Sequence, residues 1–162
     1  MKETHLDERP SPKATRANQE FFDILAGDIF ARLYHAFPAP TDLIPDGIIP
    51  ALGGQEEIDD NPERMQALYG HTVQWLSDEG YLRFGQAAHQ DEDDSVAFFD
   101  VVLTSKGLEA LRKTPGSLTG PGETLGEKIE ETAKDISSDA AKDLMKQLIP
   151  LALGWIKGMS GL

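Results

Sequence analysis

Four side chains with the chemistry to contact nucleic acid share one face of a predicted helix. They follow an i, i+3, i+7, i+10 spacing, which places them on one side of an α-helix: Arg64, Ala67, His71 and Gln74. Arg and Gln side chains can hydrogen-bond base edges in the major groove, and an Ala methyl can touch a thymine methyl. The alternative is a solvated helix face, because the nearby Glu63 and Asp78 carboxylates repel phosphate.

A positive cluster further along the chain has the right chemistry for phosphate contacts. It is the densest group of cations in the central part of the sequence: Lys106, Arg112 and Lys113. Lys and Arg side chains supply the sequence-independent part of nucleic-acid affinity. On a DNA-binding surface we expect these three residues to meet the backbone.

Four consecutive acids lie between two predicted strands, at the tip of a hairpin: Asp91, Glu92, Asp93 and Asp94. As a calcium loop the segment fails, because Val96 replaces the required Gly and Val102 replaces the distal Glu. We interpret the run as a solvated tip, with a weak divalent-cation site or a contact surface for a basic protein as the alternatives.

The charge balance opposes a nucleic-acid partner at long range. The net charge is -13, and residues 21–120 carry six positive and seventeen negative side chains, 6 − 17 = -11. A polyanion is repelled by such a field unless a local basic patch exists. The same field attracts a basic protein.

Composition indicates an ordinary globular chain of 162 residues, 40% of them hydrophobic and none of them cysteine. Disulfides and thiolate metal sites are thereby excluded. No stretch approaches the ~20 apolar residues of a membrane span, so we do not expect membrane contact. Residues 1–5 lack an apolar signal core, and we expect a cytoplasmic protein of bacterial or phage type.

The sequence offers no recognisable catalytic constellation. The four histidines have no close metal-binding spacing: His5, His35, His71 and His89. The glycine-rich phosphate loops and the nucleophile elbow of known enzymes are also missing from the sequence. We therefore expect a non-enzymatic protein without metal or cofactor.

The elements that must position these residues follow from periodicity and capping. Residues 1–17 predict a flexible arm, and Asn18 is the expected N-cap of an apolar helix ending near Phe37. Leu43-Ile44 is a candidate first strand. Pro62 favours the first position of the helix that carries the four side chains, which we expect to end at Glu79.

A hairpin and a capped helix follow. We predict strands at 81–86 and 96–103, and a helix at 105–113 capped by Thr104. Strict alternation in the second strand turns Ala97 and Val101 toward the core. The same alternation predicts an exposed Phe98, available to a partner.

Two motifs within this region carry a family resemblance. The segments Leu76-Ser77-Asp78-Glu79-Gly80-Tyr81-Leu82 and Leu103-Thr104-Ser105-Lys106-Gly107-Leu108-Glu109-Ala110-Leu111 resemble the winged-helix superfamily of bacterial regulators, and the organisation is similar to phage- and prophage-associated winged-helix proteins with a helical extension. The resemblance implies an α+β, mainly helical fold for residues 18–115, with a two-stranded wing. It implies a DNA-binding transcription regulator or, alternatively, an acidic protein-interaction module.

Residues 116–122 predict a linker, and 123–162 a C-terminal helical arm. Thr124 is a candidate cap of a helix at 125–136, and Ser137 or Ser138 opens a second helix. That helix has an apolar seam at alternating spacings of four and three, typical of helix pairing: Ala141, Met145, Leu148, Ala152, Trp155 and Met159. The arm packs on its own domain, forms a homodimer or lies on a membrane surface; its acidic first half weakens the last alternative.

Overall fold

The computed structural model describes residues 12–45, 62–89, 95–116 and 118–155, with side chains from residue 18 in the first range and from 63 in the second. In chain order the elements are α1 (Pro12–Ala36), β1 (Thr41–Leu43), α2 (Pro62–Asp78), β2 (Leu82–Arg83), β3 (Gln86–His89), β4 (Val96–Leu103), α3 (Ser105–Leu111), α4 (Leu125–Ala133) and α5 (Asp139–Ala152). The fold is α+β and mainly helical, as predicted.

Helix α1 is the centre of the fold. It begins at Pro12, so residues 12–17 are helical where the sequence predicted an arm and an N-cap at Asn18. Proline suits a first helical position, since its fixed φ matches the helix and its missing N–H has no partner to lose there. The apolar stripe is broad enough to be buried on several sides, against α2, the sheet, α4 and α5.

The sheet is antiparallel and is organised around β4. Its strand order is β1–β4–β2, and β3 pairs with the same strand β4 further along. Where one strand was predicted at 81–86, the structure has the short strand β2, and a separate strand β3 begins at Gln86 and continues to His89. Strand β4 has the predicted bounds. Strand β1 lies where a first strand was expected.

The prediction that Phe98 is exposed is wrong, because β4 contains a bulge. Two steps along β1, from Thr41 to Leu43, oppose three steps along β4, from Val101 to Phe98. Asp100 takes up the extra residue with a φ of 58°. One inserted residue reverses the inward and outward alternation, so Phe98 is only 2% exposed.

The Phe98 ring packs edge-on against Phe84, with ring centroids 4.9 Å apart. The backbone N–H of Asp100 donates to the Asp42 carboxylate at 3.2 Å, which anchors the bulge to β1. Phe98 is therefore a core residue and not part of a partner surface.

The junction between α2 and α3 explains the two motifs structurally. Gly80 ends α2 with a φ of 89°, and Tyr81 N–H donates to the Leu76 carbonyl at 2.9 Å, the bond of a Schellman motif. The Thr104 hydroxyl donates to the Gly80 carbonyl and accepts from Gly107 N–H at 3.1 Å. A Cβ on Gly107 would lie 2.0 Å from the Tyr81 carbonyl oxygen, so only glycine fits.

The C-terminal helices share the hydrophobic core of the rest of the chain. Thr124 and Ser138 cap α4 and α5 as expected, and Thr124 forms a reciprocal capping box with Glu127. Both helices pack on α1. Of the three alternatives for the arm, packing on its own domain is the one observed.

The dimerisation seam is therefore corrected for four of its residues. They are buried inside one chain: Ala141, Met145, Leu148 and Ala152. Met145 lies so close to α1 that a Cβ on Gly27 would come within 2.3 Å of its sulfur. An apolar seam of this spacing can pack against any apolar helix face. Helix α1 of the same chain is at a higher effective concentration than a second copy, so the seam packs on α1.

The remaining two seam residues are not shown to be buried within the chain. Trp155 is 56% exposed, and Met159 lies outside the described residues. None of the described helices is long and apolar enough to cross a membrane.

Candidate binding groove

The predicted reading face of α2 is partly engaged within the protein. Helix α1 lies alongside it, and the Arg64 guanidinium donates to the side-chain oxygen of Asn18. Ala67 is half-buried, and the Gln74 amide donates to the Asp78 carboxylate at 3.0 Å. His71 is exposed and lines a groove between the two helices. The four side chains share a face of α2, but the structure gives them different surroundings.

The predicted phosphate contacts also have different roles. The Lys106 ammonium donates to the Glu79 carbonyl at 2.7 Å and lies 4.5 Å from the centre of the Tyr81 ring. Lys106 therefore satisfies the C-terminus of α2, where a cation is favoured. Arg112 and Lys113 are exposed at the end of α3.

The predicted acidic contact surface lies outside the described residues. This holds for all four of its members: Asp91, Glu92, Asp93 and Asp94. Their proposed contact with a basic protein stays a prediction. Within the described ranges, no group of three or more His, Asp or Glu side chains is arranged to hold a metal ion.

An open groove of about 780 Å³ lies between the N-terminal half of α1, the middle of α2 and the end of α5. The residues that line it are Asn18, Gln19, Phe22, Asp23, Leu68, His71, Thr72, Trp75, Pro150 and Trp155. Its volume falls in the range of about 300–1,000 Å³ that is usual for ligand sites.

Three aromatic rings form one wall of the groove. Phe22 from α1 and Trp75 from α2 pack edge-on with centroids 5.3 Å apart. Trp155 stacks on Phe22 at 5.9 Å and packs edge-on against Trp75 at 5.9 Å. These separations are those of rings in direct contact, so a ligand would pack on the outer surface of the cluster.

The end of α5 directs Trp155 toward the groove. Gly154 has a φ of 79°, and its N–H donates to the Leu151 carbonyl at 3.2 Å. The Trp155 N–H donates to the Pro150 carbonyl at 2.9 Å, completing a second Schellman motif. The chain turns back at this glycine, which brings the indole onto Phe22.

Asp23 is the acidic side chain of the groove. Burial raises its pKa from 3.8 to about 7, while Lys146 lowers it and Glu20 raises it. Lys146 lies 3.7 Å from the Glu20 carboxylate and 3.5 Å from that of Asp143, so it is shared between two other acids. Among the described residues, no hydrogen bond and no ion pair within 4 Å involves the Asp23 carboxylate, and Lys146 acts on it from a greater distance.

The buried Asp28, unlike Asp23, has a close ion-pair partner. Its carboxylate is satisfied by the Arg32 guanidinium at 2.8 Å, one helical turn away. Burial raises the pKa of Asp28, and Arg32 lowers it. Burial also raises the pKa of the neighbouring Tyr69, and the Asp28 charge adds to the effect. This group is a satisfied structural pair rather than a site.

Sequence reasoning did not assemble the groove. It assigned Trp155 to a dimerisation seam, and it named none of Phe22, Trp75 and Asp23 as a site residue. Two local signals were present: an acid inside the apolar run of residues 21–25, and a glycine before Trp155 at the end of a helix. Neither signal shows that the two positions meet.

Comparisons with known protein families, with curated proteins and with solved structures return no match to this chain. The chemistry of the groove is apolar contact beside one partly buried carboxylate. That arrangement suits the binding of a side chain or a small amphipathic molecule.

Proposed function

We propose that this protein is a non-enzymatic interaction module whose groove binds the apolar face of a helix in a partner protein. The exposed Trp155 at the mouth of the groove is the observation that carries the proposal. A large aromatic side chain that is 56% exposed beside a concave apolar surface has the character of an interface hot spot.

We also infer a winged-helix arrangement for residues 18–115. Support comes from the order of the described elements, which is helix, strand, helix, hairpin and helix, and from the pairing of β1 with β4 at the base of the β3–β4 hairpin. Winged helices serve both DNA binding and protein binding. The winged-helix fold alone therefore does not decide between a DNA partner and a protein partner.

Two observations favour the protein partner over DNA. Arg64 and Gln74 are hydrogen-bonded within the protein, so base contacts would have to replace existing bonds. The net charge of -13 repels a phosphate backbone.

Intrinsic fluorescence tests the proposal, because the two tryptophans of the chain both line the groove. The probe is a synthetic amphipathic helical peptide with Leu and Phe on one face and neutral Gln on the other. We expect a saturable change in tryptophan emission. Trp155→Ala should weaken binding by about 30-fold, the effect of losing a hot-spot aromatic.

Phe37→Ala is the matched control. Phe37 is also an exposed aromatic, at 37%, but it follows the far end of α1 and does not line the groove. Its removal should leave peptide affinity within about twofold, as for a residue outside the interface. Equal losses in the two variants, or no saturable change in the wild type, would contradict the proposal.

A second candidate is the DNA-binding regulator. The exposed Arg112 and Lys113, together with the exposed His71, favour it. The test is the anisotropy of a labelled mixed-sequence duplex at ~50 mM salt, where non-specific binding should be measurable. Replacing Arg112 and Lys113 by Gln should then reduce the salt slope by about two; an anisotropy that does not change with protein removes this candidate.

A further inference from the structure

We propose that the helix bound in the groove is basic, and that one of its Lys or Arg side chains pairs with Asp23 while its apolar face packs on Phe22, Trp75 and Trp155. This inference rests on the proposed function and specifies the chemistry of the partner. The occupant is a cationic amphipathic helix of another protein.

The first reason is the unpaired carboxylate in an apolar wall. Asp23 is half-buried and lines the same groove as Phe22, Leu68 and Trp75. A partly buried charge without a partner is costly to the folded protein. An approaching ammonium or guanidinium group would supply the missing partner and turn that cost into binding energy.

The second reason is the shortage of cations near Asp23 among the residues that the structure describes. Among the described residues, Lys146 is the cation whose charge lowers the pKa of Asp23, and it already lies within 4 Å of Glu20 and Asp143. The Lys146 ammonium is thus paired with Glu20 and Asp143, and it acts on Asp23 only beyond the distance of an ion pair. The Arg64 guanidinium is hydrogen-bonded to the side chain of Asn18, on the neighbouring turn of α1. Within the part of the chain that the structure describes, this edge of the groove is therefore negative, and the net charge of the chain is -13.

The third reason is the character of the aromatic wall. The exposed face of an indole attracts cations as well as apolar groups. The ring centroids are 5.3 to 5.9 Å apart, which leaves no space for a cation between the rings. A Lys or Arg would instead lay its aliphatic stem along Trp155 and place its charge beside Asp23.

The length of the groove suits a helix better than a single free amine. Its lining on α2 extends from Leu68 to Trp75, about 10 Å at 1.5 Å per residue. That length matches side chains at i, i+3 or i+4 and i+7 of a bound helix. A small amine would occupy only the end beside Asp23.

Three synthetic helical peptides test the proposal by tryptophan emission, at pH 8 and low salt. They share one apolar face of Leu and Phe. The residue next to that face is Lys in the first peptide and Gln in the second, and the third is a scrambled Lys peptide without an apolar face. For the wild-type protein we expect the Lys peptide to bind about tenfold more tightly than the Gln peptide, the effect of one partly desolvated ion pair.

Asp23→Asn keeps the shape of the side chain and removes its charge. In this variant we expect the Lys and Gln peptides to bind within about twofold of one another, at the affinity of the Gln peptide for the wild type. Asp143→Asn is the control, because Asp143 is an exposed acid paired with the same lysine but does not line the groove. It should retain most of the preference.

The outcomes separate this inference from the proposed function. Equal affinity of the Lys and Gln peptides for the wild type would overturn the basic partner and leave the apolar groove in place. Failure of both peptides to bind would overturn the proposed function. If the scrambled Lys peptide bound as well as the ordered one, attraction would be due to overall charge, and the groove would not be the site.

Discussion

Two regions of this protein use the same local device with opposite results. At the end of α2 and at the end of α5, a glycine with positive φ reverses the chain and is followed by an aromatic residue, Tyr81 or Trp155. Tyr81 is 7% exposed, whereas Trp155 is 56% exposed. One turn closes a core and the other borders a groove.

The partners of the two aromatic residues explain the difference. The Tyr81 ring is covered by Lys106 and packs edge-on against Phe30, and its hydroxyl donates to the Leu153 carbonyl at 3.2 Å. Trp155 has two aromatic neighbours and an open face. A shared turn motif therefore does not predict the burial of the residue that follows it, because burial depends on which other side chains the fold packs against that residue.

The largest effect should come from truncating the two aromatics in parallel. Tyr81→Ala removes a buried ring and should lower the free energy of unfolding by about 3–5 kcal/mol. Trp155→Ala removes a half-exposed ring and should cost about 1 kcal/mol. Urea denaturation followed by circular dichroism measures both values. Equal costs would mean that the two turns are buried to the same extent in solution.

Gly107→Ala tests the closed junction itself. The added methyl would collide with the Tyr81 carbonyl at 2.0 Å, so we expect a loss of about 2–3 kcal/mol in the free energy of unfolding. Ser105→Ala, an exposed change in the same helix, should cost less than about 0.5 kcal/mol. A thermally unaltered Gly107→Ala variant would show that α3 can shift away from β2.

Thr104→Ala separates the cap from the packing at this junction. It removes the hydroxyl that caps α3 and bonds Gly80, and should cost about 1–2 kcal/mol. Thr104→Ser retains the hydroxyl and should recover most of the loss. If Ser and Ala were equally destabilising, the Thr methyl group and not the hydrogen bonds would account for the effect.

Asp23→Asn tests, in the absence of any partner, how the Asp23 charge in the groove affects the stability of the protein. The folded-state pKa of about 7 lies above the ordinary 3.8, so the folded protein holds the proton more tightly than the unfolded chain. The stability contributed by this group is present below pH 4 and is lost as the pH rises through 7. Because the side chain is partly exposed, solvent screening limits the penalty at pH 8 to about 1 kcal/mol.

We therefore expect Asp23→Asn to be more stable than the wild type at pH 8 and equally stable near pH 4. Unfolding in urea at several pH values measures the difference, with Asp143→Asn as the control carboxylate. A variant that is less stable than the wild type at pH 8 would mean that Asp23 already has a favourable partner in the folded protein.

Local sequence signals determined much of the fold. Pro62 and Thr104 begin α2 and α3 as predicted, Ser138 caps α5, and β4 has its predicted bounds of Val96 and Leu103. Helix caps and strand alternation depend on interactions over a few residues, so a short segment of sequence is enough to predict them. The α+β, mainly helical class followed from these elements.

Only the tertiary structure decided which surfaces are closed and which are open. One inserted residue at Asp100 placed Phe98 inside, and the seam of α5 found α1 of its own chain instead of a second copy. Trp155 and Asp23 are more than a hundred residues apart in sequence, and only the packing of α5 on α1 makes them neighbours. Contacts of this range depend on how all the elements pack at once, so periodicity alone does not reveal them.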